Sequence, residues 1–264
     1  MDLGLQDKVA WVLGASSGIG RACAESLAAE GAAVALSARS TEPLEAAAKE
    51  IEAANGDRAL AVPLDVTDPH AIVPAAENVV SELGGIDILV ANAGGPPSGT
   101  FDDLGDDELT GAFTLTTASA WRLVKAVLPS MRERGGGVIV FITSASTKEV
   151  IPGLLLSNMM RAAVLGLAKT ISKELAADGV RVLCVAPGRI DTDRLEELNE
   201  ATARRTGSTV EQVRADTVAR IPLGRLGKPR ELGDVVAFLS SERASYVSGV
   251  TVLVDGGALN SVQS

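Results

Sequence analysis

The sequence predicts an α/β fold built on one doubly wound parallel sheet with helices on both faces. Two observations carry this. Short β-branched or apolar runs alternate with longer helix-like stretches, and most of the runs are apolar on both faces, as strands covered on each side must be. The runs are residues 9–13, 33–37, 59–63, 86–91, 138–142, 180–185 and 250–254, which predicts about seven strands. Between them, residues 20–30, 43–54, 69–83, 106–132, 156–177 and 230–239 read as helices. That βαβ alternation argues for ligands at the carboxyl ends of the strands. The one long interruption runs from residue 188 to 223. Ser208-Thr-Val-Glu211 within it fits a capping box, so two short helices are expected there. The segment is too polar for core and its length suits a lid, placed at about 189–222.

Length and composition narrow the function. The 264 residues predict one domain, 1–264, with a substantial core. A net charge of −10 disfavours nucleic acid and anionic membrane as partners. No segment is long and apolar enough to span a membrane, and the polar, acidic start does not suit a signal peptide, so a cytoplasmic protein is expected. Cys23 and Cys184 are far apart in apolar stretches and read as reduced packing residues. No metal-ligand spacing stands out.

The first strand runs into Gly14-Ala15-Ser16-Ser17-Gly18-Ile19-Gly20 and then a helix. Glycines at such a turn let the backbone approach a pyrophosphate, and the helix start turns free N–H groups toward that charge. Placed between an N-terminal strand and a helix, this pattern predicts a Rossmann-type dinucleotide site. A carboxylate about 20 residues beyond the glycines would accept from a ribose 2′-hydroxyl. Here that slot is Ala38, inside Leu36-Ser37-Ala38-Arg39-Ser40. Arg39 suits a 2′-phosphate, with Ser37 and Ser40 able to add hydrogen bonds, so NADP(H) is favoured over NAD(H). A solvated Arg39 at a helix start is the other reading.

The Gly-x-x-x-Gly-x-Gly spacing resembles the short-chain dehydrogenase/reductase family, and further stretches agree. Asp65-Val66 follows the third strand, where the family seats adenine. Ala91-Asn92-Ala93-Gly94 matches the family's Asn-Asn-Ala-Gly with its first residue changed. Pro187-Gly188-Arg-Ile190-Asp-Thr192 matches the stretch that holds the nicotinamide carboxamide. Ile221-Pro-Leu-Gly-Arg-Leu-Gly-Lys-Pro and Val254-Asp255-Gly256-Gly257 resemble the tail of the bacterial 3-oxoacyl-thioester reductases. The resemblance covers nearly the whole chain and implies a homo-oligomer, a dimer or tetramer.

The same resemblance locates an altered active site. The family uses a Ser to polarise a carbonyl, a Tyr to donate a proton, a Lys four residues on, and an upstream Asn. Ser144 matches the serine. Ser157 stands in the tyrosine slot and Arg161 in the lysine slot, while Thr116 falls in the asparagine slot. Ser157 and Arg161 share a helix face, being four apart. Arg161 is expected to bind ribose hydroxyls or a developing alkoxide, but stays protonated and cannot cycle a proton. Lys148 in the loop beyond Ser144 is a candidate replacement acid; the alternative is a solvent-facing pair with Glu149.

Other conspicuous residues read as structural. His70 suits a helix-start surface position, and Tyr246, the one tyrosine, a packing position. Trp11 and Trp121 read as packing, and Met159 and Met160 as core or subunit contacts. The lid carries arginines that could meet an anionic substrate, but also many acids. Three functions stay open: an oxidoreductase on a ketone or secondary alcohol with an altered proton relay, a nicotinamide-binding protein without turnover, and a lyase or isomerase on the same fold.

Overall fold

The computed structural model describes residues 2–56 and 58–261. Seven parallel strands form one sheet: β1 (Val9–Leu13), β2 (Ala33–Ser37), β3 (Ala59–Ala61), β4 (Ile88–Ala91), β5 (Gly137–Ile142), β6 (Val180–Pro187) and β7 (Thr251–Val254). Their order is β3-β2-β1-β4-β5-β6-β7, so the winding direction reverses between β1 and β4. Register follows the apolar runs, with Trp11 opposite Ala35 and Leu89 opposite Ile139.

Strand residues alternate between two cores. Trp11, Leu13, Leu89, Phe141 and Cys184 point to the face covered by α3 (Ile72–Leu83), α5 (Ser119–Glu133) and α6 (Leu155–Glu174). Val12, Leu36, Val90, Val140 and Val185 point to the face covered by α1 (Gly18–Ala29), α2 (Thr41–Asn55) and α9 (Pro229–Ser240). Trp11 is fully buried and its indole Nε1 donates to Ser37 Oγ at 2.8 Å. Both cysteines are buried and unbridged, and burial pushes each thiol up to about 12, as inert packing residues require. Among the described residues, no helix is long and apolar enough to cross a membrane.

Several expected boundaries move for identifiable reasons. The third strand ends at Ala61, although Val62 and Leu64 still donate to the carbonyls of Leu36 and Ala38; Pro63 between them has no N–H. The fourth starts at Ile88: the Ile86 N–H is taken by Ser130 Oγ, although Asp87 still donates to the Val9 carbonyl and accepts from Val138 N. The helix expected from residue 69 starts at Ile72, after side-chain-capped turns at Asp65 and Asp68. The long helix over 106–132 is three pieces: α4 (Asp106–Ala112), a π-helical segment (Phe113–Ala118) and α5. Exposed Trp121 lies under the Lys125 ammonium, 5.3 Å from its ring centroid, and Tyr246 is fully exposed; neither packs as expected.

The segment read as a lid holds the two expected helices, α7 (Asp193–Thr206) and α8 (Val210–Ala219). The cap of α8 is Thr209, whose Oγ1 accepts from Gln212 N, one residue beyond the expected box. This segment is also not wholly polar. Leu195, Ile221 and Leu226 are buried together and pin it to the body.

Candidate functional site

The reversal between β1 and β4 opens a cleft at the carboxyl ends of the strands, as doubly wound sheets require. Its volume is about 540 Å³. Loops after β1, β4, β5 and β6 wall it, and residues of the α7–α8 segment line one end. Gly14, Ser17, Gly18 and Ile19 line one side, with Asn92, Ala93 and Gly94 beside them. Pro187, Gly188, Ile190 and Thr192 line another, and Ser144, Ser157 and Arg161 meet the same space. The structure thus gathers in one cavity residues spread from position 14 to 192.

The glycine turn is built for close approach. A Cβ on Gly14 would lie 2.7 Å from Asn92 Nδ2, and one on Gly20 would strike the Gly14 carbonyl. Gly18 has φ +55°, where side chains are strained. Ser17 caps α1 without a side-chain bond, and the first turn carries no acid. The first N–H groups of a twelve-residue helix therefore face the cleft uncapped, as an anion needs.

Not every expected ligand reaches this cavity. Arg39 is exposed at the end of β2, and Asp65 at the end of β3, near enough for Arg39 to help hold the Asp65 carboxyl below its usual range. The larger cause is the Thr67 hydroxyl, with the Thr67 N–H second. Ser37 is fully buried and its hydroxyl accepts from Trp11, so its side chain is not presented to a phosphate. Ser16 and Gly20 support the turn without lining the cleft, and Val66 lines a small void behind it.

The catalytic slots separate in the same way. Ser144 Oγ accepts from Ser146 N at 3.1 Å, which leaves its own O–H free for the cleft. Ser157 lines the cavity, and no partner among the described residues engages its hydroxyl. Lys148 does not line the cleft, because the turn over Ala145–Thr147 carries it past the opening; its neighbour Glu149 does.

Arg161 departs most from expectation. It is 8% exposed, and Nη1 donates to the Ile142 carbonyl at 2.8 Å. Nη2 donates to the carbonyls of Ala93 at 3.0 Å and Gly94 at 3.3 Å. The guanidinium is therefore turned to backbone rather than held out for a ribose. Burial, and secondarily Arg194, lowers its pKa to about 10, still fully protonated at neutral pH. Thr116 sits in the π-helical segment, buried, with Oγ1 lacking a partner among the described residues. Arg161 Nε lacks one too, and both residues border a void of about 10 Å³, near one water in size.

Some residues that shape the walls of the cleft carried no sequence signal. Asn158 ties down the wall after β5, donating from Nδ2 to the Ile151 carbonyl at 3.1 Å. Arg194 donates to the Pro96 carbonyl at 2.9 Å and closes the side by Gly95. Neither position belongs to a motif; the first bond closes a local turn of seven residues, and the fold brings together the ends of the second, 98 positions apart.

A dinucleotide-type α/β cleft with an uncapped helix start defines the class of protein. The chain belongs to the short-chain dehydrogenase/reductase family. The family model described as enoyl-(acyl carrier protein) reductase matches residues 14–259. The chain is 37% identical over 255 residues to the 3-oxoacyl-[acyl-carrier-protein] reductase FabG of Vibrio cholerae, covering 97% of this chain and 98% of the relative. The L-sorbose reductase of Gluconobacter frateurii, solved with NADPH and L-sorbose, superposes with TM-score 0.94 at 35% identity, covering 99% and 100%. A 7α-hydroxysteroid dehydrogenase solved with NADH and 7-oxo glycochenodeoxycholic acid superposes at 0.89 with 31% identity, covering 100% and 97%.

Proposed function

We propose that this protein is an NADP(H)-dependent oxidoreductase that interconverts a ketone and a secondary alcohol by an altered proton relay. The observation that carries the reading is the shared cleft: an uncapped helix start after a glycine turn opens onto the same cavity as Ser144 and Ser157. The bound nicotinamide supplies or accepts the hydride. Gly14, Ser17, Gly18 and Ile19 would hold the pyrophosphate, and Ile190 and Thr192 the nicotinamide end. Arg39, exposed next to Ala38 in the slot where a ribose-binding acid would otherwise stand, supports NADP(H) over NAD(H). The relatives divide on this point, with NADPH in one and NADH in another.

Ser144 donates its free O–H to the substrate carbonyl and stabilises the forming alkoxide. Ser157 is too weak an acid to replace a tyrosine, but its short side chain admits a water between hydroxyl and substrate. That water passes a proton to the forming alkoxide and takes one back from bulk solvent through the open end of the cleft. Acid–base catalysis by a positioned group contributes roughly 10²–10⁴ in rate, so a slow enzyme is expected. The exposed apolar side chains Phe113, Trp121 and Met159 support association of copies of the chain through the α5–α6 side.

A second reading, nicotinamide binding without turnover or a non-redox reaction, draws on Arg161. Its guanidinium is committed to three carbonyls and no titratable acid stands in the tyrosine slot. NADPH oxidation over a panel of 3-oxoacyl thioesters and simple ketones decides between them, with the double variant Ser157→Tyr, Arg161→Lys beside the wild type. Wild-type turnover upholds the reductase. Turnover in the double variant alone assigns the native chain to the second reading for those substrates.

A further inference from the structure

We propose that the lid end of the cleft is an anion subsite, in which Arg189 and Arg220 hold a carboxylate or phosphate carried by the substrate away from its ketone. The proposal rests on the cleft being a ketone/alcohol site and adds the class of substrate. Both residues line the cavity that holds Ser144 and Ser157, Arg189 beside Gly188 at the end of β6 and Arg220 at the end of α8.

What distinguishes them from the other arginines of the cleft is that no protein group engages their guanidinium among the described residues. Three other arginines of the lid are held in ion pairs. Arg194 pairs with Glu197 at 2.9 Å, Arg204 with Glu200 at 3.6 Å, and Arg214 with Asp191 at 3.0 Å. Among the described residues, no ion pair or side-chain hydrogen bond engages Arg189 or Arg220. Arg189 is half-buried, and its pKa is lowered by burial first and by the Arg220 charge second. Two cations facing one cavity repel each other, and an oxyanion between them relieves that repulsion. Guanidinium forks suit both carboxylate and phosphate.

The acids of the same cleft do not fill the role. Asp255 accepts from Gly257 N at 2.9 Å and Leu259 N at 3.0 Å, and Glu149 accepts from Asn260 N at 3.2 Å. Asp193 stands in the first turn of α7, where the helix end favours it. The other two cleft arginines are occupied, Arg161 by backbone carbonyls and Arg194 by Glu197 and Pro96.

Calorimetry on the NADP⁺-saturated protein, and on the free protein, tests this with three ketones. Acetoacetate carries a carboxylate, dihydroxyacetone phosphate a phosphate, and methyl acetoacetate no charge. At least one anion should bind about tenfold tighter than the ester, and the better one identifies the source. That preference should collapse in Arg189→Gln, Arg220→Gln and return in part in Arg189→Gln, Arg220→Lys. Should the Arg189 change disturb folding, Arg220→Gln alone reads the effect, since that side chain is exposed and makes no bonds among the described residues. Equal binding of ester and anions overturns the subsite, as does a preference that survives the variants. A loss of NADPH affinity with the ketone preference intact overturns it as well, assigning the pair to the cofactor. Binding needs no turnover. Anion preference without NADPH oxidation therefore retires the redox reading and keeps the subsite; oxidation without preference does the reverse.

Discussion

Arg161 donates from Nη1 to the carbonyl of Ile142 at 2.8 Å, so a residue in a catalytic slot stitches the end of β5 to helix α6. Its other nitrogen reaches Ala93 and Gly94, which adds the loop after β4. Arg161→Met leaves these carbonyls without donors and should lower unfolding stability by about 2–3 kcal/mol, partly offset by removing a buried charge. Arg161→Lys keeps one donor group and should lose less. Urea midpoints measure both. Ser157→Tyr alone should restore less reductase activity than the double variant, because the guanidinium is not free to tune a phenol.

Two glycines should respond oppositely to alanine. At Gly20 the added methyl strikes the Gly14 carbonyl and comes within 2.9 Å of Asn92 Nδ2, where the backbone has no room to give. Gly20→Ala should cost about 1–3 kcal/mol and weaken nucleotide binding. Gly166 is exposed inside α6 with nothing near its would-be Cβ. Gly166→Ala should stabilise by roughly 0.5–1 kcal/mol. Thermal melts and a nucleotide fluorescence titration read both.

Asp87 is a buried hub. Its carboxylate accepts from Val9 N at 2.8 Å and, bidentately, from Arg134 Nε and Nη2, each at 2.8 Å. It joins β1 to the turn before β5. Asp87→Ala should destabilise by about 2–3 kcal/mol, with Asp87→Asn losing part of that. Denaturant midpoints at neutral pH provide the check.

Glu231 links Arg225 to the start of α9. The Arg225 side chain first, and the Lys228 N–H second, hold its carboxyl at about 2. Because the folded value lies below the ordinary one near 4.5, its stabilising effect is complete above that value. It is lost as pH falls from there through about 2. Arg225→Gln should move the Glu231 midpoint up toward 4.5 and shrink this acid-side loss. Carboxyl-carbon NMR titration follows the midpoint directly.

Most of the sheet was legible because its signal is local. Buried parallel strands are continuous apolar runs, so 9–13 and 33–37 were placed to the residue. The ends that moved depend on distant partners: Ser130 takes the Ile86 N–H 44 positions away. The π-helical segment over Phe113–Ala118 was hidden for a related reason, since its apolar pattern still resembles one long helix.

By itself, the sequence determined the layered parallel sheet, the glycine turn, and which residue types occupy the catalytic slots. Each is written in spacing and side-chain chemistry along a short stretch. Only the tertiary structure decided how those groups are used. Ser37 was a phosphate candidate until Trp11, one strand away, claimed its hydroxyl. Arg161 was expected at a ribose, and the fold turned its guanidinium to three carbonyls at the end of β5 and in the loop after β4. Arg189 and Arg220 were two arginines among many until the pairing of their neighbours left them facing one cavity. A hydrogen-bonding group serves whichever partner the fold brings within about 3 Å, and that partner lies far away in the chain.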